Sequence, residues 1–184
     1  KDIITPELKK AGSKLIWIKT PKAEYDLPDY EKLMAVYEKF SEAVHTGKVL
    51  SAYVLDRHGV VPAVSKMAFG NSMGVKLSDE IPAGQLFAPA FTDIVAEVEA
   101  DKIDELGFEY VEIGEVTAEP NFVYGNTAIT IKEAVDAWKE TLERVFKTVS
   151  GEETGSAVPE VGEEKSADGK LGEDGLFRAS KVYV

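Results

Sequence analysis

The sequence predicts an α+β domain, a mixed β-sheet with helices packed on it. Segments of period two outnumber segments of helical period, which calls for a sheet as the main scaffold. Their order is strand, helix, strand, helix, several strands and a closing helix, not the regular βαβ alternation of a doubly wound sheet. Neither GxGxxG nor GxxxxGK[ST] occurs, so nothing points to a Rossmann-like or P-loop core.

Residues 14–19 (KLIWIK) read as the first strand. Residues 29–46 (DYEKLMAVYEKFSEAVHT) place Tyr30, Leu33, Tyr37, Phe40 and Val44 on one helical stripe, with Asp29 as a cap or Pro28 in a first turn, and Gly47 as a stop. Strand 48–55 (KVLSAYVL) follows, then a short buried helix over 60–69 (VVPAVSKMAF) and a strand over 73–77. Residues 92–98 (TDIVAEV) are strand-like with imperfect alternation. Residues 109–117 and 122–131 are stronger strands and are expected to pair across the 118–121 turn, with Gly125-Asn126 as a bulge or a second turn. The last helix runs over 132–148. Thr130 and Glu133 have capping-box spacing, and Val135, Trp138, Leu142, Val145 and Phe146 form its expected buried stripe.

The chain carries a net charge of −12, which argues against nucleic acid or an anionic membrane as partner. No run of 18 apolar residues suggests a membrane span. Without cysteine there is no disulfide, thiolate metal site or cysteine nucleophile, which fits a cytoplasmic setting. Half of the net charge falls in residues 150–175, where eight acids and six glycines are interleaved with no aromatic residue. Such a stretch cannot bury enough surface to offset its ordering entropy and reads as an acidic disordered linker, or else as an acidic interaction tail. Residues 176–184 (LFRASKVYV) regain strand character, as the start of a further domain or as a strand returning to this domain's own sheet. The expected organisation is a lobe over 1–149, a linker over 150–175 and the start of a truncated domain over 176–184.

Catalytic constellations are missing. His45 sits near a helix end, where a cation suits the macrodipole. His58 precedes Gly59 at a strand-to-helix junction, a place for a ligand or simply a turn. The carboxylate pairs Glu97/Glu99 and Glu112/Glu115 read as a solvated sheet face rather than as acid–base pairs. GNSMG (residues 70–74) could bring backbone to a phosphate, or could be a helix stop followed by a turn.

Residues 48–77 (KVLSAYVLDRHGVVPAVSKMAFGNSMGVKL), 86–98 (LFAPAFTDIVAEV) and 112–117 (EIGEVT) resemble, in this order, the second lobe of the aminoimidazole ribonucleotide synthetase-like fold. In that family the first segment reads LSAHD-x-SDGGL, the second LFSESPGRIVVEV and the third IGEVT. The opening ITPELKKAGSKLIWI and the acidic linker narrow the resemblance to the long single-chain phosphoribosylformylglycinamidine synthases, where such a lobe joins a C-terminal glutaminase domain. The departures fall on the ligand motifs. Tyr53-Val54 stand in place of His-Asp, Asp56-Arg57-His58-Gly59 in place of Ser-Asp-Gly-Gly, and residues 88–93 (APAFTD) in place of SESPGR.

The resemblance implies a fold like the C-terminal domain of aminoimidazole ribonucleotide synthetase. It also implies a role as one lobe of an ATP- and magnesium-using ligase that amidates formylglycinamide ribonucleotide in purine biosynthesis, with ammonia from glutamine. Partners would be the preceding synthase domains and the glutaminase. Ser51, Asp56, Arg57, His58 and Gly59 are the ligand-loop candidates; no catalytic or metal residue is assigned, and the chain alone is expected to hold no cofactor and to be inactive. The segments 53–55 and 86–91 are expected to expose an apolar face to the neighbouring domains, or else Leu86, Phe87 and Phe91 fill this domain's own core. The alternative reading is a stand-alone small-molecule binding or scaffold module of the same fold. An independent kinase-like ATP enzyme is disfavoured by the missing aspartates at Val54 and Arg57.

Overall fold

The computed structural model describes residues 3–143, Val145 and the pairs Lys170–Leu171 and Phe177–Arg178. The chain divides into two units, Lys1–Arg144 and Val145–Val184. Most of the expected linker therefore lies outside the described residues. Within the second unit, β8 (Lys170–Leu171) pairs antiparallel with β9 (Phe177–Arg178).

The first unit holds seven strands: β1 (Lys14–Ile18), β2 (Val49–Val54), β3 (Gly74–Leu77), β4 (Ile94–Val98), β5 (Val111–Thr117), β6 (Asn121–Tyr124) and β7 (Thr127–Thr130). Four helices join them: α1 (Tyr30–His45), α2 (Val60–Asn71), the single turn α3 (Ala83–Leu86) and α4 (Ile131–Glu143). The strands form one sheet in the order β2-β4-β1-β5-β3-β6-β7. Every neighbouring pair is antiparallel except β3 and β6, so the sheet is mixed, as the sequence predicts.

Alternate residues of a strand face opposite sides, and each side of this sheet has its own apolar layer. Ile16, Ile18, Ile94, Ala96 and Val98 bury against Ala43 and Val44 of α1. Leu15, Trp17, Val75, Val95 and Ile113 bury against Val64, Met67 and Ala68 of α2. Strand β4 lies between β2 and β1 beneath both layers, and all five of its residues are buried. That accounts for its poor alternation, since a strand covered on both faces has no solvent side to mark.

Local chemistry ends the helices where the sequence places the signals. The Lys32 N–H donates to Asp29 at the start of α1. At its end Gly47 N–H donates to Val44 O and Lys48 N–H to Ala43 O, a Schellman pair closed by Gly47 at φ 74. Thr130 and Glu133 form the reciprocal capping box: Glu133 N–H donates to Thr130 Oγ1, and Thr130 N–H to the Glu133 carboxylate.

Three expectations are corrected. Strands β5 and β6 do not pair, because β3 lies between them and binds both. The connection crosses the start of β3 at Gly74, where a Cβ would stand 1.7 Å from Glu119 O. The second correction concerns α1. Tyr30, the first residue of α1, is exposed, while Leu33 and Val44 of the same helix are buried. The third concerns α4, which ends at Glu143 among the described residues. Trp138 is 60% exposed and Val145 also stands in solvent; Trp138 only leans on Phe69 of α2, ring centroids 5.7 Å apart. Trp138→Ala is therefore expected to cost about 1 kcal/mol, the scale of one aromatic pair. Ile131→Ala, at a buried position of the same helix, should cost about 2–5 kcal/mol, and urea unfolding of the two variants compares them directly.

Candidate functional site

Strands β1 and β2 end, and β4 begins, at the same end of the sheet, so three connections meet there. The first is the β2–α2 loop. The Asp56 carboxylate accepts the His58 backbone N–H at 2.7 Å and faces the His58 Nδ1 at 3.1 Å, while Arg57 Nε donates to His58 Nε2 at 3.2 Å. These contacts select the imidazole tautomer with its proton on Nδ1. The His58 backbone N–H, ahead of its imidazole, holds the Asp56 carboxyl below the usual carboxylate range. Lys66, two turns into α2, reaches the Tyr53 hydroxyl at 3.3 Å and lies over its ring. The exposed tip thus carries the cations Arg57 and Lys66 near one carboxylate and suits an anionic group.

Gly59 is fixed by packing. It has φ 79, and a Cβ would stand 2.6 Å from Ala88 O and 2.8 Å from Leu86 O. Its bare α carbon lets the second connection, residues 86–93, close over the start of α2. The Ala90 N–H completes the lock by donating to Asp56 O.

That second connection carries a feature absent from the sequence reading. Thr92 has φ 72, a left-handed conformation costly for a β-branched residue. It is held from several sides. Tyr37 donates its hydroxyl to Thr92 O at 2.7 Å, Lys22 reaches Thr92 Oγ1 at 2.9 Å, and the Thr20 and Thr92 hydroxyls are hydrogen-bonded. Beside it the buried Asp93 accepts from Trp17 Nε1, Thr20 N–H and Thr20 Oγ1 at 2.7–2.9 Å, with Lys22 at 3.7 Å. An aspartate directly ahead of an apolar strand is the only sign of this in the sequence.

Asp56, Arg57, His58 and Gly59 are thus brought together, and Ser51 is not. Ser51 is buried in β2 and donates to Glu97 Oε2 at 2.8 Å. Glu97 overturns the solvated-face expectation for its pair. It is fully buried and accepts from Lys9 N–H (2.8 and 3.1 Å), Lys10 N–H (2.9 Å), Ser13 Oγ (2.7 Å) and Ser51. Glu99, half-buried, pairs with Lys10 and Lys102. Glu112 keeps a solvated position opposite Lys14.

GNSMG is a helix stop and not a phosphate cradle. Ser72 closes α2 in the left-handed conformation, and Gly74 is buried beneath the β5–β6 crossing. His45 Nδ1–H donates to Ser41 O at 2.7 Å, within its own helix end. Among the described residues no group of three or more His, Cys, Asp or Glu could hold a metal, and no helix is long and apolar enough to cross a membrane. Asp56, the one acid of the ligand loop, is already engaged by His58, so these residues do not fit a magnesium ion. The apolar segments divide: Leu55, Leu86 and Ala90 are core, whereas Val54, Phe87 and Phe91 are each nearly three-fifths exposed at the same end.

This sheet, with its apolar layer under α1 on one face and under α2 on the other, is that of the aminoimidazole ribonucleotide synthetase-like fold. Among solved structures, phosphoribosylformylglycinamidine synthase II from Thermotoga maritima matches at TM-score 0.59 and 16% identity, over 71% of this chain and 27% of that one. PurLQS from the same organism matches at 0.60 and 17%, over 70% and 27%. E. coli HypE, a hydrogenase maturation protein, matches at 0.53 and 16%, over 70% and 51%. The chain spans about a quarter of the length of the synthases it matches. No family model matches the sequence.

Proposed function

We propose that this chain is the second aminoimidazole ribonucleotide synthetase-like lobe of a phosphoribosylformylglycinamidine synthase, a cytoplasmic ATP-driven ligase that converts formylglycinamide ribonucleotide to its amidine with ammonia from glutamine. One observation carries the reading. The two segments that align with the family's ligand motifs interlock at one end of the sheet, and two of the family's glycine positions, Gly59 and Thr92, are both left-handed here. A glycine motif is written by backbone need, and Thr92 meets that need without the glycine. The Thermotoga PurL structures include complexes with ATP and with FGAR.

In this role the lobe binds and shapes; it does not catalyse. Arg57 and Lys66 offer cations to a phosphorylated substrate, and Val54, Phe87 and Phe91 offer apolar area to the preceding synthase domains. The ATP and magnesium ligands belong to those domains, since the residues here do not form a metal site. The nucleophile for glutamine hydrolysis belongs to a glutaminase domain, since this chain has no cysteine.

The isolated chain is expected to turn over neither ATP nor glutamine. The complete gene product is expected to amidate formylglycinamide ribonucleotide with ATP, and Arg57→Ala in it should raise KM for the ribonucleotide about tenfold, the scale of one charge-assisted contact. Turnover by the pure chain that vanishes in His58→Ala or Asp56→Asn would instead make this loop a catalytic site in its own right.

A further inference from the structure

Four of the eleven large apolar side chains that stand exposed among the described residues fall between positions 25 and 34: Tyr25, Leu27, Tyr30 and Met34. Tyr30 and Met34 are one helical turn apart on the outer face of α1, away from Leu33 and Val44, which bury against the sheet. Tyr25 is 90% exposed and left-handed, with φ 59. A large aromatic side chain held at positive φ with nothing over it gains neither burial nor relaxed backbone from this lobe. The segment is nevertheless well anchored. Ala23 N–H donates to Leu27 O, Asp29 N–H to Pro21 O, and Lys22 bridges to Pro28 while its ammonium holds Thr92. The anchored stripe is a presented surface.

Its rim gives the sign of the occupant. Glu24, Glu31 and Glu38 are exposed beside it and have no salt bridge among the described residues, while Lys32 is taken up by Asp29 at 2.9 Å. An acidic rim around apolar knobs disfavours a second copy of this chain, whose net charge is −12, and disfavours nucleic acid and anionic membranes. It suits an apolar protein face edged with lysine or arginine.

We infer that the Tyr25–Met34 stripe of α1 docks onto a basic-edged apolar face of another domain in the same polypeptide. The inference rests on the proposed function, under which about three-quarters of the matched synthase length lies outside this chain. It extends the contact beyond the loop edge at Phe87 and Phe91, because Lys22 and Tyr37 tie the stripe to residues 91–92. The partner therefore wraps from the ligand loops onto α1.

Hydrogen exchange on this chain alone and on its complete gene product tests the inference. Amides over residues 25–34 are expected to slow at least tenfold in the complete protein. The double variant Tyr30→Glu/Met34→Glu should leave the isolated chain's Tm unchanged, because both side chains are already solvated, yet restore fast exchange in the complete protein. Raised salt should partly release the contact in the native protein. Equal exchange at 25–34 in both forms, or no response to the double variant, overturns the inference, as does a gene product with no further domain. Amidation of formylglycinamide ribonucleotide is read separately. Activity without protection at 25–34 removes only the docking surface, and protection without activity removes only the assigned reaction.

Discussion

Glu97→Ala is expected to destabilise the domain by about 3–5 kcal/mol, the cost of removing one partner from a buried charged network. The carboxylate is fully buried in β4 and, among the described residues, is the acceptor for Lys9 N–H, Lys10 N–H and the Ser51 hydroxyl. Alanine leaves those donors facing carbon, and each unsatisfied donor costs about 1–3 kcal/mol. Glu97→Gln keeps the shape and sharpens the test. The Lys9 and Lys10 N–H groups between them aim at both carboxylate oxygens, so an amide –NH2 must meet a backbone donor that cannot rotate away. Glutamine is therefore expected to recover less than half of the loss in urea unfolding. Full recovery by glutamine would mean that the charge is not what organises residues 9–13.

Gly74→Ala should be nearly as severe, at or beyond the roughly 3 kcal/mol upper range of overpacking. The new methyl group would meet Glu119 O at 1.7 Å, Thr117 Oγ1 at 2.4 Å and Asn121 O at 2.9 Å. Two of these are backbone atoms of the β5–β6 crossing, and backbone in a three-residue connection has little room to give. The damage should be local in its geometry: exchange should rise in β6 and β7 before β1 and β4. A Gly84→Ala control, where a Cβ meets nothing within 4 Å, should be close to neutral. Similar losses at Gly74 and Gly84 would show that the crossing is not the constraint.

The contrast between these two positions shows what could be read from sequence. Helix α1, its cap and its Schellman stop, and the Thr130/Glu133 box are legible because their signals lie within a few residues of one another. The neighbour of β5 is not, since an Ala118–Pro120 connection serves a hairpin and a strand crossing equally, and only Gly74 forty-five residues earlier in the chain distinguishes them. Glu97 is misread for a related reason. Alternation assigns a face, and β4 has no solvent face to assign. Its donors come from residues 9–13 and from β2, neither of which is near it in sequence. At the site, the Asp56–Gly59 loop is legible as a strand-to-helix junction, whereas the Thr92–Asp93 knot depends on Thr20, Lys22 and Tyr37. Trp138 errs in the other direction: Val135 of the expected stripe is half-buried, but Trp138 meets Phe69 of α2 only with tilted rings and stays exposed. The side chains of Leu142 and Phe146 lie outside the described residues.

Among the described residues the sheet ends in two edge strands, β2 and β7, and β2 is the more hazardous. Val49–Val54 (VLSAYV) has no charge and no proline, the composition of a self-associating segment. Its protection is geometric. The register against β4 slips between Val49 and Ser51, so one residue is extra and the outer row of backbone groups is bent out of line. Lys48 and Asp56 close the segment at either end as gatekeeping charges. The far edge, β7, is only four residues long. The surplus residue keeps β2 from offering a straight edge to a second copy, and removing it is expected to trade a straighter sheet for a sticky one.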